Sequence, residues 1–521
     1  MQRIKVSVGF KRLEVIILAL IVLLAIVLRL WGFPYTPNGL NQDEISAGYE
    51  SYSLLTTGAD RWGNHLPAYF PSWGSGMNVL YSYLSVPVIA LFGLTPLAVR
   101  FVAVVLGIAS IPLFYVAVRH YYGRKLAMIA AFFLAVSQWH VLLSRWGLES
   151  NLLPFFILLG LVSFTAALRP SIKRPWILFA FVPFALALYA YGIGVIVVAL
   201  FVVLLVVCNR KNIFTKATWK YWTGAAVIAL IMATPFLLSQ VKTYVVKAPM
   251  AIEHVLPFSI PSLASTRLSE VSGGNTLHEN AKFVASGFDD GLAWNSVPGY
   301  KLFTPLMIVI SGIGICYRLY IAYRSKGREV SPFLLWVIAC IPLFLTIPLN
   351  INRSNALYLP LIVCLADGIL VIARLFHRRL LSTVFIAVAA ICVLVINIHA
   401  LTVYFSPTYA EATSDNFNPT FSSALAKAHD RSAAGPLYVT DSLSLNYMQV
   451  LWYQKINPVE FQHSGSSFDH QQFENYYFST ASIPRGHDYT FLVRDNEATP
   501  CKTPQHVEHL QDWKIGQCSA S

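Results

Sequence analysis

Eleven stretches of this chain are almost unbroken apolar sequence, separated by shorter segments in which Lys and Arg collect. They run over 13–31, 97–118, 126–143, 152–168, 176–190, 193–208, 222–239, 302–318, 332–349, 356–373 and 381–403. A helix needs roughly 20 apolar residues to cross a bilayer, so the pattern predicts an all-α polytopic membrane protein with about eleven transmembrane helices. The run from 176 to 208 is interrupted only by YAYGIG (Tyr189 to Gly194) and reads as a tight helical hairpin. A further segment, 77–93, is apolar enough to cross but contains Pro87.

Basic residues decide how 77–93 is read. The opening MQRIKVSVGFKR should stay cytoplasmic. If 77–93 does not cross, every strong basic cluster also falls inside: RHYYGRK (119–125), LRPSIKRP (168–175), NRKNIFTK (209–216), YRLYIAYRSKGR (317–328) and ARLFHRRL (373–380). If it crosses, RHYYGRK becomes external. We therefore expect a juxtamembrane or re-entrant helix there. The first apolar run has the basic start of a signal peptide, but it continues into LRLWGFPY without a small-residue cleavage site, which marks an uncleaved anchor.

Composition agrees. Charged residues make up 12% of the chain and hydrophobic ones 56%, against roughly 25% charged in an average soluble domain. A net charge of +13 taken alone suggests nucleic acid, but the cations sit in short clusters between apolar runs, the arrangement that orients a protein among membrane lipids. Nucleic acid is excluded on that ground. The expected organisation is a membrane module over 1–403 in the cytoplasmic (inner) membrane and a C-terminal extracytoplasmic domain over 404–521.

In that tail, SPTYAEATSDNFNP reads as a polar linker. ALAKAHD and SLNYMQVLWYQ then read as helices, and PLYVT, VEFQ and YTFLVRD as strands of a small α/β domain. Cys501 and Cys518 are the only cysteines in a polar region. Eleven crossings from a cytoplasmic start put them outside, where a disulfide persists, although two free thiols fit the sequence too.

The same parity places loops 32–96, 144–151, 240–301 and 350–355 outside. They carry carboxylates and cations near membrane level, including Asp43, Glu44, Arg61, His65, Arg145, Glu149, Arg267, Glu270 and Arg353. That mixture suits chemistry on an anionic, membrane-held substrate. Each residue also has a plainer reading. Asn41 followed by Glu44 is a capping-box pattern, and Asp43 in a first turn gains from the helix dipole. Arg145 and Glu149 stand at ion-pair spacing, Arg353 can snorkel, and His65, His254 and His278 are solitary loop histidines. Tyr191 fits an interfacial aromatic belt as well as a sugar-stacking platform. Asp43 and Glu149 are also the candidates to hold a divalent cation, Mg or Mn.

The order of the pieces resembles a known family. An apolar anchor, then DE opening an amphipathic helix, GNHLPAYFPSWGSGMNVLYSYLSVP, GLTPLAVRFVAVVLG, SRWGLESNLLPF, FALALYAYG, DDGLAWNSVPGY and NRSNALYLPLI follow one another over about residues 10–375. This is similar to the polyprenyl-phosphate-sugar-dependent glycosyltransferases with the GT-C fold, which include the protein O-mannosyltransferases and the aminoarabinose transferases acting on lipid A. The resemblance implies a GT-C-like module and transfer of a sugar, with inversion, from a polyprenyl-phosphate donor to a glycan, lipid or protein acceptor.

By position, the resemblance makes Asp43 the catalytic acidic residue, Glu149 the second one, and Arg353 the basic residue near the lipid phosphate; because guanidinium groups match phosphate oxygens bidentately, Arg61 and Arg145 are further candidates for that phosphate. Two departures stand out. Some relatives carry an acidic and basic pair where GNHLPAYF offers only His65 with Arg61 upstream. Some carry a histidine before VPG where this chain has Asn295, so a metal site built on that histidine lacks its ligand. Oligosaccharide transfer from a lipid pyrophosphate, or a lipid-linked-sugar flippase without chemistry, are the alternative readings.

Overall fold

The computed structural model describes residues 12–72, 76–263, 276–464, 471–483 and 486–519. The chain begins with α1 (Arg12–Leu30), α2 (Gln42–Thr57), α3 (Leu80–Phe92), α4 (Pro96–Tyr122), α5 (Arg124–Val136) and α6 (Gln138–Leu143). A 3-10 turn at Glu149–Leu152 leads into α7 (Leu153–Ala167), followed by α8 (Val182–Ala187), α9 (Gly194–Ile213) and α10 (Trp219–Val241). The module is completed by α11 (Thr276–Ala285), α12 (Pro305–Arg324), α13 (Pro332–Thr346), α14 (Asn355–Ala373) and α15 (Arg379–Tyr404).

All eleven apolar runs form helix, but not all in one piece. Among the described residues, eight helices are long and apolar enough to cross a membrane: α1, α4, α7 together with the 3-10 turn that leads into it (Glu149–Ala167), α9, α10, α12, α14 and α15. The run 126–143 breaks at Ser137, whose ψ of 119° ends α5. The carbonyls of Leu134 and Ala135 freed by the break accept from the buried Arg29 guanidinium, and the Gln138 N–H donates to Asn397 Oδ1 at 2.8 Å. The run 176–190 is a 3-10 turn followed by the short α8, with Pro175 and Pro183 opening the two pieces, because a proline cannot continue a helix interior. The run 332–349 stops at Thr346, since Ile347 before Pro348 is extended, as a pre-proline residue prefers. Helix α3 has 13 residues and spans about 20 Å at 1.5 Å per residue, short of a hydrocarbon core of roughly 30 Å.

Helix α14 is the axis of the bundle, with almost every side chain buried, whereas α1, α10, α12 and α15 expose residues such as Leu20, Leu230, Leu306 and Val395. So much exposed apolar surface is a liability in water and is the ordinary lipid-facing surface of a membrane bundle.

The tail holds α16 (Pro407–Ala412), α17 (Ser414–Phe417), α18 (Phe421–Ser432), β1 (Leu437–Val439), α19 (Asn446–Tyr453) and α20 (Pro458–His463). Then come β2 (Gln472–Phe473), β3 (Tyr476–Tyr477), β4 (Tyr489–Arg494), β5 (Gln505–Leu510) and β6 (Trp513–Cys518). The strands form one sheet in the order β2-β3-β1-β4-β6-β5, with β1 parallel to both β3 and β4. Cys501 and Cys518 are joined in a disulfide.

Two expectations for the tail are corrected. VEFQ is helical, because Asn457 caps the Val459 N–H at 3.0 Å and Pro458 supplies a first-turn φ. The segment after α15 is no loose linker: it forms α16 and α17, buries Tyr409 and Phe417, and hydrogen-bonds Leu40 N–H to the Phe417 carbonyl at 2.8 Å. The core of the tail is also shared. Leu40, Ile45, Tyr49 and Val99 pack with Phe421, Leu425, Met448 and Trp452 in one buried cluster, so α2 lies between the membrane bundle and the tail domain.

Candidate active site

Helix α2 begins with a full capping box. Asn41 Oδ1 accepts the Asp43 N–H at 2.9 Å, and Glu44 Oε2 accepts the Asn41 N–H at 3.0 Å. Glu44 does more than cap. It receives Arg100 through two parallel bonds, Nε to Oε1 at 2.7 Å and Nη2 to Oε2 at 2.8 Å, and the Gly147 N–H at 2.8 Å. Both side chains are fully buried. The rest of the Arg100 guanidinium donates to the carbonyls of Pro34, Pro37 and Gly39. Arg100, an ionisable oddity near one end of a predicted span, is thus the residue that gathers the loop ahead of α2 and fixes its first turn. Glu44 has both oxygens engaged, which removes it from the candidate catalytic bases. Asp43 is the carboxylate left at the surface of this turn, half-buried beside the positive end of the helix.

The Gly147 bond joins α2 to the segment carrying Glu149. Glu149 is buried and accepts the Asn78 N–H ahead of α3. Its neighbour Ser150 accepts from Asn355 Nδ2 at 3.3 Å, and Asn355 Oδ1 accepts the Trp139 indole at 2.9 Å. Arg353, two residues before Asn355, is half-buried, with Nη1 donating to the Pro348 carbonyl at 2.7 Å. A third strap comes from DDGLAWN. The Asp290 carboxylate accepts the Ile351 N–H at 3.0 Å, the Leu292 N–H at 3.1 Å and Asn295 Nδ2 at 2.9 Å. Burial pushes the Asp290 carboxyl above the usual range, with these bonds pulling the other way. The structure therefore brings the segments of Asp43, Glu149 and Arg353 together at one end of the bundle, through Gly147, Ser150 and Asp290.

Other predicted residues are engaged elsewhere. Arg61 is fully buried, paired to Glu50 at 2.6 Å and bonded to Ser46 Oγ at 3.0 Å, with its guanidinium over the Trp62 and Tyr447 rings. It fastens the loop after α2 to the tail domain and presents no surface to a phosphate. Arg145 does not pair with Glu149 among the described residues. It donates to the carbonyls of Arg29 and Thr36 and to the Tyr404 hydroxyl, and stacks on Phe405 with its guanidinium carbon 4.9 Å from the ring centre.

His65 is exposed, and Tyr191 is buried at the turn before α9, where its carbonyl accepts the Gly194 N–H. His278 is exposed on α11. Arg267, Glu270 and the His254 ring lie outside the described residues. Among the described residues no three His, Cys, Asp or Glu side chains converge as metal ligands. Asn78, Asn355 and Asp290 escaped the sequence reading as site residues. Only Asp290 left a signal, the DDG turn followed by Asn295.

A second feature adjoins the Asp290 strap. A cavity of about 270 Å³ opens between α12, α13 and α14, lined by Phe288, Phe303, Ile308, Ile315, Phe344 and Leu361 among others, with almost no polar atoms.

Comparison with known proteins finds a partial match to one family model and a likeness of fold. Residues 78–238 match the family model described as dolichyl-phosphate-mannose-protein mannosyltransferase. No curated protein matches the chain by sequence. Among solved structures, ArnT from Cupriavidus metallidurans bound to undecaprenyl phosphate superposes with a TM-score of 0.58 at 13% identity, covering 96% of this chain and 97% of that one. Its apo form gives 0.57 at 14% identity with the same coverage. The oligosaccharyltransferase AglB from Archaeoglobus fulgidus follows at 0.49 and 14% identity, over 86% of this chain and 64% of its own, too distant to carry an argument. At these identities the likeness is one of fold, and over nearly its whole length the chain carries the GT-C fold in the arrangement seen in ArnT.

Proposed function

We propose that the chain is a membrane glycosyltransferase that moves one sugar from a polyprenyl phosphate to an acceptor hydroxyl or amine, at the end of the bundle that carries α2. The observation that carries the reading is the division of labour at the start of α2. Glu44 is consumed by Arg100, the cap and Gly147, which fixes the first turn of α2 and leaves Asp43 on that turn, at the same end of the bundle as the segments that carry Glu149 and Arg353. A general base needs such placement before it needs a particular pKa.

In this reading the polyprenyl chain lies against the apolar cavity between α12, α13 and α14, and its phosphate reaches Arg353. The ArnT neighbour is described as bound to undecaprenyl phosphate, which supports a donor of that class. Asp43 takes the proton of the acceptor as its lone pair attacks C1 of the sugar. The C1–O bond to phosphate breaks, its electron pair leaves with the phosphate, and Arg353 stabilises the charge that develops there. One displacement inverts the anomeric centre. A divalent cation would draw on Asp43 and Glu149 for ligands, and the steps above need none. The expected setting is the inner membrane with the N-terminus cytoplasmic and the tail domain outside, facing the acceptor.

The test is sugar transfer by purified protein from radiolabelled polyprenyl-phosphate sugars to membrane extract, wild type against Asp43→Asn. Loss of about 100-fold or more in the variant is expected for a missing general base. Equal transfer by both would remove Asp43 from the mechanism.

A further inference from the structure

Three basic clusters that the sequence reading used only for orientation meet in space. Tyr122 and Lys125 from the α4–α5 corner, Arg318 from α12 and Arg374 from the end of α14 line one cavity of about 190 Å³, closed on a further side by Ser382 of α15. Liquid water occupies about 30 Å³ per molecule, so the space equals about six waters, ample for a phosphate group. Helix α4 separates this cavity from Arg100 by about 33 Å at 1.5 Å per residue, which places it at the opposite end of the bundle from the candidate active site.

Among the described residues, carboxylates balance the charge there only in part. Arg318 is held by Asp367, with Nε at 2.5 Å from Oδ2 and Nη2 at 2.8 Å from Oδ1, and lies 4.2 Å from the Tyr122 ring centre. Arg374 bonds only a hydroxyl, Tyr317 at 2.7 Å, and among the described residues neither it nor Lys125 has a carboxylate partner. Cations near helix C-termini commonly just offset the helix dipole, and Arg374 fits that account. Lys125 does not, because it is the second residue of α5 and Ser382 is in the first turn of α15. Those are the helix ends where a cation is disfavoured and an anion favoured. An anchored guanidinium, two cations without a carboxylate among the described residues and two helix N-terminal turns around one small cavity are suited to a phosphate.

We propose that this cavity binds the phosphate of an anionic phospholipid, seated between α4, α5, α12, α14 and α15. Basic pockets between transmembrane helices take lipid head groups in this way. The site is separate from the donor site, and it stands whether or not Asp43 is a base.

The experiment uses the full chain, stripped of lipid in neutral detergent and titrated with phosphatidylglycerol, phosphatidylcholine or inorganic phosphate. The unfolding temperature is recorded throughout, and retained lipid is counted by native mass spectrometry. Phosphatidylglycerol should raise the unfolding temperature and phosphatidylcholine should not. Lys125→Gln with Arg374→Gln should need about thirtyfold more phosphatidylglycerol for the same shift. Competition by millimolar inorganic phosphate would mean that the phosphate alone is recognised. Its failure to compete would mean that the lipid head group as a whole is recognised, and either result supports the site.

Equal shifts with both lipids overturn the proposal. So does an equal loss in the control Lys326→Gln with Arg328→Gln, which removes the same charge from the same end outside the cavity. If the double variant does not fold, Lys125→Gln alone, at an exposed residue, should need about fivefold more lipid. An unchanged titration there overturns the proposal as well.

Discussion

Arg100 of α4 and Glu44 of α2 form a fully buried two-bond ion pair, and nearly every other polar atom of both side chains is committed to backbone. The pair is what holds the first turn of α2 against the bundle. Removing one partner leaves a buried charge unmatched, which costs about 3–5 kcal/mol. Arg100→Met should therefore unfold well below wild type, and Glu44→Gln in the same chain should recover much of the loss. Thermal unfolding of the four chains of this double-mutant cycle checks it, and additive losses would refute the coupling.

The adjacent carboxylates should then fail differently. Asp43→Asn keeps the capping box, since the cap is made by Asn41 and Glu44, and is expected to lose transfer with the unfolding temperature nearly unchanged. Glu44→Gln loses the ion pair and should lose stability first. Parallel measurement of unfolding and of transfer under lipid-saturating conditions separates them. Equal stability losses in both variants would contradict the division.

This distinction marks what the sequence conveyed. The periodic run after Asn41 and the DE pair made α2 and its cap legible, since both are local. That Glu44 and not Asp43 is consumed depends on Arg100, 56 residues away, and on the Gly147 amide, and no spacing rule reaches that far. The apolar runs were equally plain, but their breaks at Ser137 and Pro183 turn on which distant groups, Arg29 and Asn397 for the first, meet the freed backbone. Arg61 and Arg145 read as phosphate ligands because they are cations in loops. Burial against Glu50 and against the carbonyls of Arg29 and Thr36 is what takes them out.

Of the three arginines considered for the phosphate, Arg61 and Arg145 are fully buried and Arg353 is half-buried. If it meets the departing phosphate, Arg353→Lys retains charge but not the planar fork and should keep part of the activity, whereas Arg353→Ala should lose about 100-fold in kcat/KM. Donor titrations for both variants decide the matter. Identical losses for Lys and Ala would mean that charge is irrelevant and that Arg353 merely braces the Pro348 turn.

Gly48 fixes the tail domain on α2. A Cβ there would lie 2.4 Å from the Trp452 ring and 3.2 Å from Val99, and α2 bears this helix-weakening residue because two layers close on it. Gly48→Val should part the tail from α2 and expose the α16–α18 segment. Limited proteolysis should then cut between about 405 and 420, with wild type resistant under the same conditions. Unaltered resistance would show that the shared cluster absorbs the extra methyls.

Asp290 gives the pH dependence. Its carboxyl lies above the ordinary value because burial penalises the charged form, so folding favours the proton on this group. Its contribution to stability is therefore complete below the unfolded value of about 3.9 and declines as pH rises through the higher folded value. Asp290→Asn removes the titration, although an amide cannot accept all the bonds that Ile351, Leu292 and Asn295 now donate. The variant should start less stable than wild type at pH 4, and the gap should narrow as pH rises toward 7. Thermal unfolding of both chains across that range measures the slope directly. A gap that widens with pH would mean that the three donors outweigh burial and that the carboxylate, not the acid, is the form the strap between DDGLAWN and NINRSN is built to hold.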